Sequence, residues 1–202
     1  MKKQLLALAL LAAGAVYAGE AGIIQGGDFE NVPAMTEAQK ASAKKNKMDT
    51  DVLFLIQPGW NGNSKIHKMR LISSKTNPDD APFVHSGNCS LMMESKGGHF
   101  YFMNGIPVGK YTLEFYAKGK GAVRLITYLY GAYQKHLGQG PEFTRVVLND
   151  KWQKVSVTAD FGRDNPKART FRIAFTFINE GKMYIDDITL RKADGETKEN
   201  AK

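Results

Sequence analysis

Apolar and polar residues alternate with a period of two along most of the chain after residue 51. Residues 110–118 (KYTLEFYAK) place four apolar side chains on one face of an extended segment, and residues 122–130 and 168–178 alternate in the same way. Because successive side chains of a strand point to opposite faces of a sheet, this pattern predicts half-buried strands. Further strands are predicted at 53–56, 65–71, 90–94, 99–103, 152–159 and 183–190.

Short turns separate these segments, among them Gly97-Gly98, Asn104-Gly105 and Glu180-Gly181. Glycine and asparagine tolerate the positive φ angles that tight turns require. No long amphipathic helical pattern lies between the predicted strands, which argues against parallel crossovers. The sequence therefore predicts an all-β fold, an antiparallel β-sandwich, in which one face of each strand enters the core.

Three segments depart from the alternating pattern. Residues 1–18 begin with two lysines, continue as an uncharged apolar run and end in Val16-Tyr17-Ala18, which predicts a secretory signal peptide cleaved after Ala18. Residues 33–50 are interpreted as an insertion, either a short helix capped by Thr36 or a solvated loop. Residues 192–202 lack large apolar side chains and predict a disordered, charged tail. We therefore expect one secreted domain over residues 19–191, extracellular or periplasmic, with no transmembrane segment.

Composition narrows the function classes. The net charge is +8, but the 28 basic residues are scattered and form no basic-aromatic motif, so we expect no nucleic-acid partner. The only cysteine, Cys89, excludes a disulfide scaffold and a cysteine-based zinc module. The sequence has no H-E-x-x-H, G-x-S-x-G or phosphate-binding loop, and its four histidines are scattered. We therefore expect no enzymatic activity.

An ordered set of motifs carries a family resemblance. In chain order these are IQGGDFEN at 24–31, QPGW at 57–60, SGNCSL at 86–91, GKYTLEFYAKG at 109–119 and YIDDITL at 184–190. The set resembles carbohydrate-binding modules of the cellulase and xylanase type (families 4, 9 and 22), within the galactose-binding-like superfold. The resemblance covers about residues 22–191. It implies a jelly-roll sandwich that binds a polysaccharide or another glycan and does not catalyse a reaction.

The resemblance also implies a structural calcium ion. In the family, the Glu of the G-D-F-E motif and an Asp of the Y-I-D-D motif hold the ion together with loop carbonyls. The matching residues here are Glu30 and Asp186, with Asp187 and Asp28 as further candidates. Calcium binds such carboxylate and carbonyl oxygens, and two carboxylates brought together by neighbouring strands repel unless a cation lies between them. The alternative is that these are ordinary turn and strand-end acids, one of which caps a backbone amide.

The outward strand faces supply candidates for sugar binding, because sugar rings stack on aromatic side chains and sugar hydroxyls pair with polar ones. The candidates are Tyr101, Glu114, Tyr116, Arg124, Tyr128, Tyr130 and Arg172. Tyr128 and Tyr130 are two residues apart on one strand, which places two platforms about 6.5–7 Å apart. The alternative is that loops bury these tyrosines. A second function class is a secreted or envelope protein that uses the same fold to bind a protein partner.

Overall fold

The computed structural model describes residues 23–24, 26–31, 36–45, 60–62, 68–94, 99–178 and 181–193. The predicted signal peptide at 1–18, the predicted strand at 53–56 and most of the predicted tail lie outside these residues. All structural statements below concern the described part of the chain.

Two antiparallel sheets form the fold, so the predicted all-β sandwich is confirmed. The strands are β1 (Trp60–Gly62), β2 (Lys68–Ser73), β3 (Cys89–Glu94), β4 (His99–Phe102), β5 (Ile106–Pro107), β6 (Gly109–Gly119), β7 (Gly121–Tyr130), β8 (His136–Leu148), β9 (Gln153–Phe161), β10 (Thr170–Phe177) and β11 (Lys182–Lys192). Sheet A has the order β1-β4-β10-β7-β8, with β5 also paired to β10. Sheet B has the order β2-β3-β11-β6-β9.

Aromatic side chains join the two sheets through the core. Phe115 of sheet B meets Phe175 of sheet A edge to face, with ring centroids 5.3 Å apart. Phe161 of sheet B stacks on Phe171 of sheet A at 5.0 Å. Trp60 is buried against the rings of β4 at 5.4–5.5 Å. Each of these residues occupies the inward position of its strand, so the alternation in the sequence determines which side chains face outward.

Strand β8 was not predicted from the sequence. Its segment, HLGQGPEFTRVVL, contains Gly138, Gly140 and Pro141, which interrupt the period-two pattern. The register between β7 and β8 shifts at three places, so the strand alternates only in short stretches. A proline is tolerated there because β8 is an edge strand of sheet A and its outer side has no ladder to complete.

The chain end that precedes β1 completes sheet B beside β11. Strand β3 pairs with β11 only as far as Ile185. Beyond that point Ile188 N donates to Gly27 O at 3.0 Å, and Ile23 N donates to Leu190 O at 2.8 Å. A Cβ atom at Gly27 would lie 2.0 Å from Ile188 O, so only glycine fits. The two ends of the domain are therefore neighbours, as the sequence motifs predicted.

The inserted segment forms a short helix, α1 (Glu37–Lys45), which follows Thr36. Lys40 N donates to Thr36 O at 3.0 Å, and its side chain pairs with Glu37 at 2.8 Å, in the first turn. A 3₁₀ helix covers Pro78–Phe83, and Asn77 caps it by accepting from Asp79 N. Among the helices of the described segments, none has the length and hydrophobicity needed to cross a membrane.

We predict that Thr127→Val stabilises the protein. Thr127 is fully buried in an inward position of β7, and its hydroxyl has no hydrogen-bond partner among the described residues. Replacing this hydroxyl by a methyl group of similar shape removes a buried polar group, which should raise the free energy of unfolding by about 1 kcal/mol. Urea denaturation measures the change. Thr158→Val, at an outward position where the hydroxyl bonds Thr112, is the control and should give no gain. Equal or lower stability of Thr127→Val would contradict the assignment.

Candidate functional site

The outer face of sheet A collects five of the seven predicted sugar-binding residues. Tyr101 lies on β4, Arg172 on β10, and Arg124, Tyr128 and Tyr130 lie on β7. The register places Arg172 beside Tyr128 and aligns Tyr101, Ala174 and Ile126 across three adjacent strands. We call this surface, with His99, His136, Gln139, Glu142, Arg145 and Thr176, the sheet A face.

Aromatic rings run across this face in contact with one another. Tyr101 and Tyr128 meet edge to face at 6.2 Å between centroids. His136 lies 6.0 Å from the ring of Tyr128 and 5.3 Å from that of Tyr130, and His99 stacks on Tyr101 at 5.9 Å. These tyrosines are half-buried, so each ring is held in place while part of it stays accessible. Burial raises the pKa of Tyr128, and Tyr101 and Tyr130 add to that effect, so its phenol remains a neutral donor and acceptor.

Arginine side chains lie among these rings. Arg172 covers the ring of Tyr130, with its guanidinium carbon 4.4 Å from the centroid, and donates to the Tyr130 hydroxyl at 3.2 Å. Arg124 approaches Glu142 at 3.8 Å, whereas Arg145 binds both oxygens of Glu142 at 3.1 and 3.3 Å. The Nε atoms of Arg124 and Arg172 are buried and have no hydrogen-bond partner among the described residues. The face therefore combines stacking surfaces with N–H donors that lack an acceptor.

Glu114 and Tyr116 lie elsewhere, on the outer face of sheet B. Both belong to β6, whose neighbours in that sheet are β11 and β9. Glu114 pairs with Lys154 at 2.9 Å, and this hydrogen bond holds the pKa of Glu114 below its ordinary value. Tyr116 stacks on His85 with centroids only 3.5 Å apart. The structure thus divides the predicted sugar-binding set between two opposite surfaces of the sandwich.

Residues 77–88 form a loop that contacts part of this second surface through residues 82–85. Phe83 stacks on Tyr184 at 4.6 Å, and Trp152 packs with Phe83 in the same small apolar cluster. Lys118 donates to Pro82 O at 3.0 Å and lies over the rings of Phe83 and Trp152. The aromatic side chains here are engaged with the chain's own loop, in contrast to those of the sheet A face.

Two of the predicted calcium ligands, Glu30 and Asp186, accept hydrogen bonds from the backbone at the end of this loop. Glu30 Oε1 accepts from the backbone N–H groups of Asn88 and Cys89 at 2.6 and 2.7 Å, and the Asn88 side chain donates to Oε2 at 3.2 Å. Asp186 Oδ2 accepts from the N–H groups of His85 and Ser86 at 3.0 and 3.3 Å. Residues 85–89 are thus held between two carboxylates from opposite ends of the domain.

Asp187 and Asp28 differ in their surroundings. Asp187 lies in the bulge of β11 with φ 51°, contacts His85 Nδ1 at 2.7 Å and accepts from Ser86 Oγ at 2.8 Å. Asp28 is exposed and makes one long contact, from Glu30 N at 3.4 Å. Asp187 therefore belongs to the same loop cluster, and Asp28 lies at its edge.

The pKa values of Glu30 and Asp186 are shifted in opposite directions. Burial and the adjacent Asp187 raise the pKa of Asp186 to about 7. Burial also acts to raise the pKa of Glu30, but the N–H donors of Asn88 and Cys89 outweigh it and hold the pKa below its ordinary value. The loop amides therefore stabilise the charged form of Glu30 without a metal ion.

The described side chains provide only part of a calcium site. Within the described ranges, no three His, Cys, Asp or Glu side chains converge so that they could hold a metal ion. Calcium requires about six to eight oxygen ligands, so backbone carbonyls would have to complete a shell around Glu30 and Asp186. The hydrogen bonds above show both carboxylates in the backbone-capping role that the sequence offered as the alternative to calcium.

Strand β8 contributes site residues that the sequence did not indicate. Glu142 lies beside Ile126, Arg145 beside Arg124 and Gln139 beside Tyr128. The sequence signal for these residues is the charged pair E-x-x-R at 142–145. Because the alternating pattern predicts no strand there, the sequence does not indicate which face of the sheet carries the pair.

Comparison with known proteins identifies solved structures with a similar fold. No protein-family model and no curated protein sequence matches the chain. Among solved structures, the CBM22-2 xylan-binding domain of Paenibacillus barcinonensis Xyn10C is similar with a TM-score of 0.50 and 13% identity, over 67% of this chain and 92% of that one. The chain therefore shares the fold of a carbohydrate-binding module, and the resemblance found in the sequence is confirmed at that level.

Two further structures are similar at lower scores. TmCBM61 in complex with β-1,4-galactotriose gives a TM-score of 0.47 and 12% identity, over 86% of this chain and 100% of that one. The enzymatically active domain of bacteriophage CBA120 tailspike protein 4 gives 0.46 and 11%, over 65% of this chain. This chain spans only 18% of that tailspike chain.

We predict that Glu30→Ala destabilises the protein by about 2 kcal/mol, because it leaves the N–H groups of Asn88 and Cys89 without their acceptor. The measurement is urea unfolding in the presence of a chelator, so that metal binding does not contribute. Asp28→Ala, which removes an exposed carboxylate two residues away, is the matched control and should change stability little. The pKa of Glu30 is lower in the folded state than in the unfolded state. The stability that Glu30 provides is therefore fully present above its unfolded-state pKa, and it is lost as the pH falls through its folded-state pKa. Equal effects of the two substitutions would contradict this role.

Proposed function

We propose that this chain is a secreted, non-catalytic glycan-binding protein, and that its sheet A face is the binding surface. The observation that carries the proposal is the continuous row of Tyr101, Tyr128, His136 and Tyr130 rings with Arg172 among them. The xylan-binding domain of Xyn10C, which shares this fold, supports the same class of ligand.

The proposed mechanism is stacking on a preformed surface. The C–H faces of sugar rings pack on tyrosine rings, and sugar hydroxyls accept hydrogen bonds from arginine and tyrosine groups. Contacts within the row hold the rings in position, so binding costs little side-chain entropy. An elongated row suits several sugar residues of one chain.

The charge pattern of the face supports binding without hydrolysis. A glycosidase of the common type needs two carboxyl groups about 5–9.5 Å apart. Glu142 is the only carboxylate at the described outward positions of this face, and Arg145 binds both of its oxygens. Glu114, predicted from the sequence as a ligand residue, lies on the other sheet.

Structural calcium is part of the proposal. Glu30 and Asp186 come from opposite ends of the domain and hold the same loop, and Asp187 lies next to Asp186. A cation there would neutralise like charges and lock the two chain ends together. Secretion is proposed from the N-terminal sequence of residues 1–18.

We predict that Tyr128→Ala weakens glycan binding about five- to tenfold, because one stacked ring is worth about 1–1.5 kcal/mol. Affinity electrophoresis against neutral and acidic plant polysaccharides provides the measurement. Tyr116→Ala on sheet B is the matched control, since that ring is stacked on His85 and should leave binding unchanged. Loss of binding only in Tyr116→Ala would move the site to the other sheet. The absence of retardation on every polysaccharide, with a specific protein captured instead, would refute glycan binding.

We predict that a chelator lowers the melting temperature by several degrees and that added calcium restores it, because a ligand of the native state alone stabilises by mass action. Glu30→Gln should abolish the chelator response. Thr127→Val, which changes a core residue of β7 and not this loop, should retain the full chelator response. If the chelator causes no shift in melting temperature and elemental analysis finds no calcium, the calcium proposal is wrong. The loop amides are then the partners of these carboxylates.

A further inference from the structure

The sheet A face carries more positive than negative charge. Arg124, Arg145 and Arg172 lie on it, and Glu142 is the only carboxylate at its described outward positions. Because Arg145 binds Glu142 through two hydrogen bonds, that carboxylate is already engaged, and its contact with Arg124 is long at 3.8 Å. Among the described residues, Arg172 contacts Tyr130 and pairs with no acidic group. Two guanidinium groups are therefore poorly neutralised.

The same two arginines have unsatisfied donors. Nε of Arg124 and Nε of Arg172 are buried without an acceptor among the described residues. Because these Nε atoms are fully buried, a ligand does not reach them in this conformation and would contact the terminal Nη groups of these half-exposed side chains. A carboxylate matches a guanidinium group because it can accept two parallel hydrogen bonds, here from the two Nη groups. A sugar hydroxyl accepts only one hydrogen bond at this fork and adds no charge.

The spacing of the two arginines suits a polymer. Along β7, Tyr128 lies four residues after Arg124. Tyr128 is paired with Arg172 on the neighbouring strand β10. At 3.3–3.4 Å per residue the two levels are about 13 Å apart, with Tyr101, Ile126 and Ala174 between them. Different sugar residues of one chain can therefore reach the two guanidinium groups while an intervening ring packs on the aromatic surface.

We propose that the glycan bound by this face is an acidic polysaccharide, with hexuronate carboxylates held by Arg124 and Arg172. This inference rests on the proposed function and adds the ligand class. The general net charge of +8 is not its basis, since a diffuse charge would attract any polyanion to any surface.

The test compares two forms of one polymer, polygalacturonate and its fully methyl-esterified derivative, which differ in charge while sharing the same backbone. We expect the full-length mature protein to bind polygalacturonate at least tenfold more tightly in isothermal titration at low salt. Raising the salt concentration should reduce this difference, because exposed charge pairs are screened. Neutral xylan and β-1,4-galactan form a third arm that reports glycan binding of any kind.

Variants locate the effect. Arg124→Gln and Arg172→Gln should each weaken binding of polygalacturonate by about tenfold and weaken binding of the methyl ester distinctly less, because the ester loses a neutral hydrogen bond and no ion pair. Arg172→Lys keeps the charge but removes the fork, so it should recover only part of the affinity. Arg70→Gln, an exposed arginine on β2 of sheet B, makes the same charge change on the opposite sheet and should have no effect. Circular dichroism and melting curves identify any variant that fails to fold, and because Arg124 and Arg172 lie on different strands the two tests are independent.

The outcomes separate this inference from the proposed function. Equal affinity for both polygalacturonate forms, or binding of neutral polymers only, overturns the acidic ligand class while glycan binding stands. Equal losses in Arg70→Gln and Arg124→Gln show diffuse polyanion capture and also overturn it. No binding to any polysaccharide in any arm overturns the inference and the proposed function together. Selective loss in the two sheet A variants supports both.

Discussion

Burial of the aromatic inner strand faces is the constraint on which the rest of the structure depends. Phe115 against Phe175 and Phe161 against Phe171 hold the two sheets together through the core. Since adjacent residues of a strand face opposite sides, each buried ring determines that its neighbours face outward. Arg172 and Thr176 flank inward phenylalanines of β10 in this way. The surface that we assign to ligand binding is thus a direct consequence of the core.

A second constraint acts where the ends of the domain meet. The segment around Gly27 continues sheet B beside the bulge of β11, and this contact brings Glu30 and Asp186 to one loop. Four backbone N–H groups of residues 85–89 then find carboxylate acceptors in place of water. That loop continues from residues 77–84, of which Pro82, Phe83 and Val84 pack on part of the outer face of sheet B. The acidic cluster therefore also explains why the aromatic residues of that sheet are engaged internally.

The strands and their inward faces could be predicted from the sequence because period-two alternation is a local signal. Residues 110–118 and 122–130 show it clearly, and both form strands with the predicted inward side chains buried. Which sheet each strand joins is set by long-range pairing, and alternation carries no information on that. Glu114 and Tyr116 were grouped with Tyr128 for this reason, although β6 and β7 belong to different sheets. Strand β8 escaped prediction because glycines, a proline and bulges remove its alternation, and the ion pair of Glu142 with Arg145 was missed with it.

The packing of residues 82–85 on part of sheet B gives the molecule two unlike sides. On one side the aromatic rings contact the chain's own loop and Lys118, and on the other side the tyrosine rings and guanidinium groups are half-exposed. On the proposed function, a single copy of this domain binds one polymer chain through the sheet A face. It would decorate a polysaccharide, whereas bridging two polysaccharide chains through that face would require two copies held back to back.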